Sequence, residues 1–142
     1  MSQAQVNLVH SLYDYYARKD IETAATLIGE EFEWVVVPLG QTVRGVDGFK
    51  QHFGGLARTF PDSTISVTHV VDGGDWVVME YTFRGTHRGP LLTPGGEIPA
   101  TDKPINLPGC EVYHLDAGKI IGIHTYFDAM TMLQQLGVVS GA

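Results

Sequence analysis

The sequence predicts an α+β domain in which a curved antiparallel sheet wraps around N-terminal helices. Three observations predict it. Helical periodicity recurs through the first sixty residues, period-2 alternation takes over from residue 63 to residue 127, and no repeat or low-complexity linker divides the 142 residues. Strands this long bury one face only if something covers it, and the N-terminal helices are the available cover. Curling the sheet around them leaves a cone with a pocket inside, in a single unit spanning residues 1–142.

Val6, Val9, Leu12, Tyr13 and Tyr16 fall on one helical face and predict a first helix from about Gln3 to Arg18. Asp20 can cap a short second helix carrying Ile21, Ala24, Ala25 and Ile28, with Gly29 as its stop. Phe32–Val37 is rich in strand formers and is halted by Pro38. Phe49, Phe53, Leu56 and Phe60 repeat at helical spacing, so a third helix runs from about Asp47 to Phe60 and Pro61 closes it. Ser63–Val71 and Trp76–His87 alternate as strands around the turn Asp72-Gly73-Gly74-Asp75, with Val77, Met79, Tyr81 and Phe83 on one face. Gly89–Pro104, with four prolines, reads as a structured loop long enough to be a lid. Ile105–Leu115 and Ile120–Phe127 form a last hairpin, and Ala129–Leu136 reads as a helix stopped by Gly137.

The net charge of −7 lacks the basic footprint of a nucleic-acid binder. The opening MSQAQVNLVH has neither the basic start nor the apolar run of a secretory signal, and no stretch of about 18 apolar residues suggests a membrane span. The lone Cys110 cannot close a disulfide within the chain, so a reducing cytoplasm is expected.

Chemistry concentrates where the last strand meets the last helix. Period 2 places His124, Tyr126 and Asp128 on one face. Asp128 ends a buried strand, where it either caps the following helix, with Thr131 three residues on, or is aimed into a cavity. In an apolar pocket, desolvation would raise its pKa toward useful proton transfer. His87 shares parity with the apolar face of its strand and points inward unless a bulge at Gly85 resets the register. It is then either a buried histidine bonded to backbone or a pocket group that orients or shares a proton. Trp34, Tyr16, Phe53 and Tyr126 can wall a pocket for a flat ligand or simply pack the core. Glu111 is a second carboxylate candidate; Tyr113 shares its parity, and the facing of the pair is open. His10, His52, His69 and His114 read as surface or core residues. His124 and Asp128 lie about 13 Å apart along a strand, too far to share a metal ion. HExxH, a cysteine pair, GxGxxG, the phosphate-binding loop and GxSxG are all missing, so no metal or other cofactor is expected.

Four pieces of the chain resemble the SnoaL-like polyketide cyclases, in order. They are YARKDIETAATLIGEEFEW, FRGTHRGPL, LPGCEVYHLDAGKIIGIHTYFD and DAMTMLQQLG. The resemblance implies the cone of the nuclear transport factor 2-like superfamily, a cystatin-like α+β barrel. It implies a pocket carboxylate at Asp128, acting as acid/base, with His87 assisting. The implied activity is cofactor-independent intramolecular aldol cyclisation of a small hydrophobic carbonyl compound, polycyclic or aromatic. The alternatives on the same scaffold are a ketosteroid-isomerase-like isomerase, an epoxide hydrolase, or a small-ligand-binding module without catalysis. A homodimer is expected, because the sheet's back carries Val78, Val112 and His114 among polar residues and relatives commonly pair through it.

Overall fold

The computed structural model describes residues 2–139; residues 1 and 140–142 of the expected unit lie outside the described residues. Helix α1 (Ser2–Ala17) buries Val6, Val9, Leu12, Tyr13 and Tyr16, the stripe its periodicity predicts. Asp20 caps α2 (Ile21–Ala25) by accepting from the Thr23 N–H at 3.1 Å. This helix is shorter than its apolar pattern suggested. Leu27 O accepts from Ile120 N, and Ile28 pairs with Ile120, so Ile28 and Gly29 open strand β1 (Ile28–Val36) instead. The sheet's demand for partners overrides a weak helical preference there.

Pro38 sits in a 3₁₀ turn (Val37–Leu39), and Gly40, at φ 62°, turns the chain into β2 (Gln41–Arg44). That short strand pairs antiparallel with β1 and had no counterpart in the sequence reading. Helix α3 (Gly45–Thr59) buries Phe49 and Phe53 against the sheet. A long hairpin follows, β3 (Thr64–Gly73) and β4 (Trp76–Thr86). Within the expected loop lies a small separate hairpin, β5 (Leu91–Thr93) and β6 (Gly96–Ile98). Strands β7 (Pro104–Asp116) and β8 (Lys119–Phe127) and helix α4 (Ala129–Gln135) complete the fold.

The main sheet has the order β2-β1-β8-β7-β4-β3. Its ladders are antiparallel, as expected, except β1–β8, which is parallel. A parallel pair needs a long connection, and β1 and β8 are separated by most of the chain. The inner face of β4 carries Val77, Met79, Tyr81 and Phe83, as its alternation predicts. The largest core cluster joins this face to α1, α2 and α3. A second cluster, built on Phe60, Leu91, Ile105, Leu107, Met132 and Leu136, seats α4 at one end of the sheet. Among the described residues no helix is long and apolar enough to cross a membrane.

Candidate active site

Strand β7 buries Ile105, Leu107, Glu111, Tyr113 and Leu115 on one parity, which turns Glu111 and Tyr113 inward. Four elements then converge on the Glu111 carboxylate. Tyr13 from α1 donates to Oε1 at 2.7 Å, and Tyr113, two residues along β7, reaches the same oxygen at 2.7 Å. Thr125, the β8 residue opposite Glu111 in the ladder, donates to Oε2 at 2.7 Å. Trp34 on β1 donates from Nε1 to the Thr125 hydroxyl at 2.9 Å, so the indole steers the threonine proton onto the carboxylate. The Tyr113 hydroxyl also lies 2.9 Å from that of Tyr13, giving its single proton two acceptors in reach.

A buried carboxylate is tolerated only when such donors replace water. Burial, and then the charge of Glu111, push the pKa values of Tyr13 and Tyr113 well above the ordinary phenol value. Both therefore remain phenols and act as donors. Two protons reach Oε1 and one reaches Oε2. A carboxylate accepts about four, which leaves one lone pair on Oε2.

Glu111 forms part of the wall of a cavity of about 610 Å³, lined by α3, β1, β2, the β5–β6 hairpin and the inner face of β4, β7 and β8. The wall is mainly apolar, with Trp34, Leu56, Phe83, Leu107 and Phe127 among its residues. Arg58, Gln51 and Glu97 add charge and polarity. Tyr81 lies on the same wall, and its hydroxyl makes no hydrogen bond among the described residues. Burial, with Glu111 and Cys110 adding to it, drives its pKa far upward, so its O–H stays protonated. Its ladder partner is Gly109, and a β-carbon there would lie 2.5 Å from the Tyr81 hydroxyl. Only a glycine leaves that ring its place.

Asp128 is elsewhere. Its side chain is exposed, caps α4, and accepts from the Thr131 N–H at 3.1 Å and the Thr131 hydroxyl at 2.8 Å. Those two bonds, the hydroxyl's first, lower its pKa, the reverse of the shift expected for a pocket acid. His124, Tyr126 and Asp128 do share a face, but it is the outer one; Ile123, Thr125 and Phe127 face inward. The cause is a bulge. Leu115 pairs with Ile120 but His114 pairs with Gly122, so Ile121 is an extra residue that resets the alternation. Because Asn caps a helix about as well as Asp, Asp128→Asn should leave both the melting temperature and turnover near wild type. A large loss of turnover in that variant would contradict the placement.

His87 is fully buried, and no bulge at Gly85 intervenes. It sits past the end of β4 against Phe60, at 5.7 Å between ring centres, and is not part of the cavity wall. The Thr101 N–H donates to its Nδ1 at 3.2 Å, which puts the proton on Nε2, a sealed atom with no hydrogen-bond partner among the described residues. His87 N also donates to Lys103 O, and Asp102 N donates to His87 O, so this histidine ties down the base of the loop that carries β6. Burial lowers its pKa, against the pull of the Gly89 backbone and Asp102.

Of the expected wall residues, the structure brings Trp34 and Glu111 to the cavity. Tyr16 and Phe53 pack edge to face in the core at 5.2 Å, and the Tyr16 hydroxyl lies 2.6 Å from that of Ser63. Burial pushes the Tyr16 pKa up to about 12. Tyr126 is on the outside of the sheet, 43% exposed. Tyr13, Tyr81, Tyr113, Thr125 and His52 escaped the sequence reading as site residues. The signal for the tyrosines was present, because a tyrosine on a buried stripe must find a partner for its hydroxyl. Among the described residues no three His, Cys, Asp or Glu side chains converge as a metal site.

The family model of the SnoaL-like polyketide cyclases matches residues 7–136. No curated protein sequence matches significantly. Among solved structures, a protein of Jannaschia sp. CCS1 assigned as a SnoaL-like polyketide cyclase superposes with a TM-score of 0.86, at 20% identity over 96% of this chain and 94% of that one. TsrD of Streptomyces laurentii gives 0.82, at 20% identity over 96% and 97%. IdmH of Streptomyces antibioticus, assigned as a polyketide cyclase, gives a TM-score of 0.74, at 26% identity over 93% and 97%. The helices-then-sheet order, the cavity against the sheet's inner face and the match along most of its length agree: this chain belongs to the SnoaL-like polyketide cyclase family.

Proposed function

We propose that the protein is a cofactor-independent acid/base enzyme that closes a ring by intramolecular aldol addition on a hydrophobic carbonyl substrate, with Glu111 as its base. The family match and the apolar cavity support the class of reaction. The observation that carries the base assignment is the Glu111 carboxylate on the cavity wall, held by three hydroxyl donors that leave one Oε2 lone pair without a donor among the described residues. That lone pair accepts a proton from the carbon next to a substrate carbonyl. The electron pair of the broken C–H bond moves onto the carbonyl oxygen, where the uncommitted Tyr81 O–H stabilises the enolate by hydrogen bonding. The enolate carbon then attacks a second carbonyl of the same molecule, forming the C–C bond. The resulting alkoxide recovers the proton from Glu111, so the carboxylate is regenerated and nothing else is consumed. Glu111→Gln assayed on a panel of aromatic polyketide and steroid-like ketones tests the base; unchanged turnover overturns it.

The proposal includes a homodimer formed through the outer face of the sheet. Trp76, 49% exposed, stacks on His114 with ring centres 4.0 Å apart, and Tyr126 and Val71 are exposed on the same side. Apolar area of this kind favours a partner. Light scattering at micromolar concentration should give twice the chain mass, and a monomer mass rejects the pairing.

A further inference from the structure

His52 lies on α3 at the edge of the stripe that buries Phe49 and Phe53. Its own ring is part of the cavity wall and meets the Trp34 indole edge-on, with centres 4.5 Å apart and planes at 70°. Trp34 is in turn fixed by its bond to Thr125, and Thr125 by its bond to Glu111. The imidazole is thus oriented by the same chain of contacts that orients the carboxylate. It makes no hydrogen bond among the described residues, unlike the other polar groups of that chain. Among the described residues the one sealed, unpartnered side-chain polar atom is Nε2 of His87. The nitrogens of His52 are therefore not sealed, and the residue that carries them lines the cavity. A ligand oxygen on that wall would give the imidazole the partner it lacks among the described residues.

We infer that His52 is a substrate-binding residue that donates a hydrogen bond to a carbonyl oxygen on the part of a flat ligand lying against Trp34. Through that bond it decides which carbon is presented to Glu111. The inference rests on the cavity being the substrate site and adds a specificity determinant to it. Burial lowers the His52 pKa to about 4, so at neutral pH the ring is uncharged and presents one N–H donor to the cavity without the desolvation cost of a buried cation. A fixed neutral donor suits a ketone and gives no advantage to the same hydrocarbon frame without oxygen.

The probe is 9-fluorenone, a flat tricyclic ketone, compared with fluorene, which has the same frame and no carbonyl. Wild-type protein should bind fluorenone more tightly than fluorene and lower the infrared carbonyl stretch of the bound ketone relative to its value in hydrocarbon solvent. In His52→Phe, fluorenone affinity should fall about ten-fold, the scale of one neutral hydrogen bond, while fluorene affinity holds or rises. The carbonyl stretch should move back toward the hydrocarbon value. Tyr81→Phe, measured in parallel, tells the two free donors apart. A stretch that is unchanged in His52→Phe, equal losses for fluorenone and fluorene, or no fluorenone binding by the wild type each overturns the inference. Glu111→Gln keeps the His52 contact, so a shifted stretch together with full turnover in that variant sinks the base assignment and leaves His52 standing.

Discussion

Glu111→Gln is expected to lower kcat by roughly 100- to 10,000-fold, the contribution of a positioned general base. The substitution keeps the shape of the side chain and removes its capacity to take a proton. Its amide oxygen can still accept from Tyr13 and Tyr113, while the amide nitrogen now faces the Thr125 hydroxyl, which donates to Oε2 in the native protein. Thr125 can rotate to accept instead, although it already accepts from Trp34. A modest loss of stability is therefore expected beside the large loss of turnover, and circular dichroism with a thermal melt separates the two. Tyr113→Phe should be milder, because it removes one of two donors to Oε1 and leaves Tyr13 in place. If Glu111→Gln turns over substrate within a few-fold of wild type, another group is the base. If Tyr113→Phe alone matches its loss, the phenol and not the carboxylate carries the chemistry.

The parts of this molecule legible in its sequence are those fixed by local periodicity. Helices α1 and α3 declare their buried stripes at 3.6-residue spacing, and β4 declares Val77, Met79, Tyr81 and Phe83 at spacing 2. What depends on distant partners was not legible. Strand β2 is four residues long and exists because β1 offers it an edge; β1 runs parallel to β8 because the cone closes there. The base shows the same divide. Asp128 stands out in the sequence because it ends an apolar strand, yet one extra residue, Ile121, turns its face outward. In the sequence Glu111 is a carboxylate of open facing, and only the unbroken β4–β7 register sends it inward. His52 sits three residues from Phe49, at the edge of a buried stripe, where periodicity alone does not separate a cavity wall from a core or a solvated face.

The cavity histidine also predicts how the fold responds to acid. The His52 pKa is about 4 when folded, with burial as the cause, against the ordinary 6.5 of an unfolded chain. Above pH 6.5 the ring is neutral in both states and contributes no pH dependence. Between pH 6.5 and about 4 the unfolded chain takes up the proton and the folded one does not, so stability falls as pH falls through this window. The full span corresponds to at most about 3 kcal/mol, reduced by whatever water the cavity admits beside the ring. His87, lowered by burial in the same sense, adds to the slope. The depressed carboxylates of Asp20, Asp62 and Asp128 act elsewhere, because their contribution is present above the usual 3.8 and is lost only as pH falls below it. Stability measured from pH 7 down to pH 4.5 therefore isolates the histidines. Urea midpoints for the wild type should drop steadily across that range. His52→Phe fills the same space without a titrating group, so its midpoints should drop less. Parallel slopes for the two proteins would mean that His52 titrates as it does in water, in an open and solvated position that its contact with the Trp34 ring should not allow.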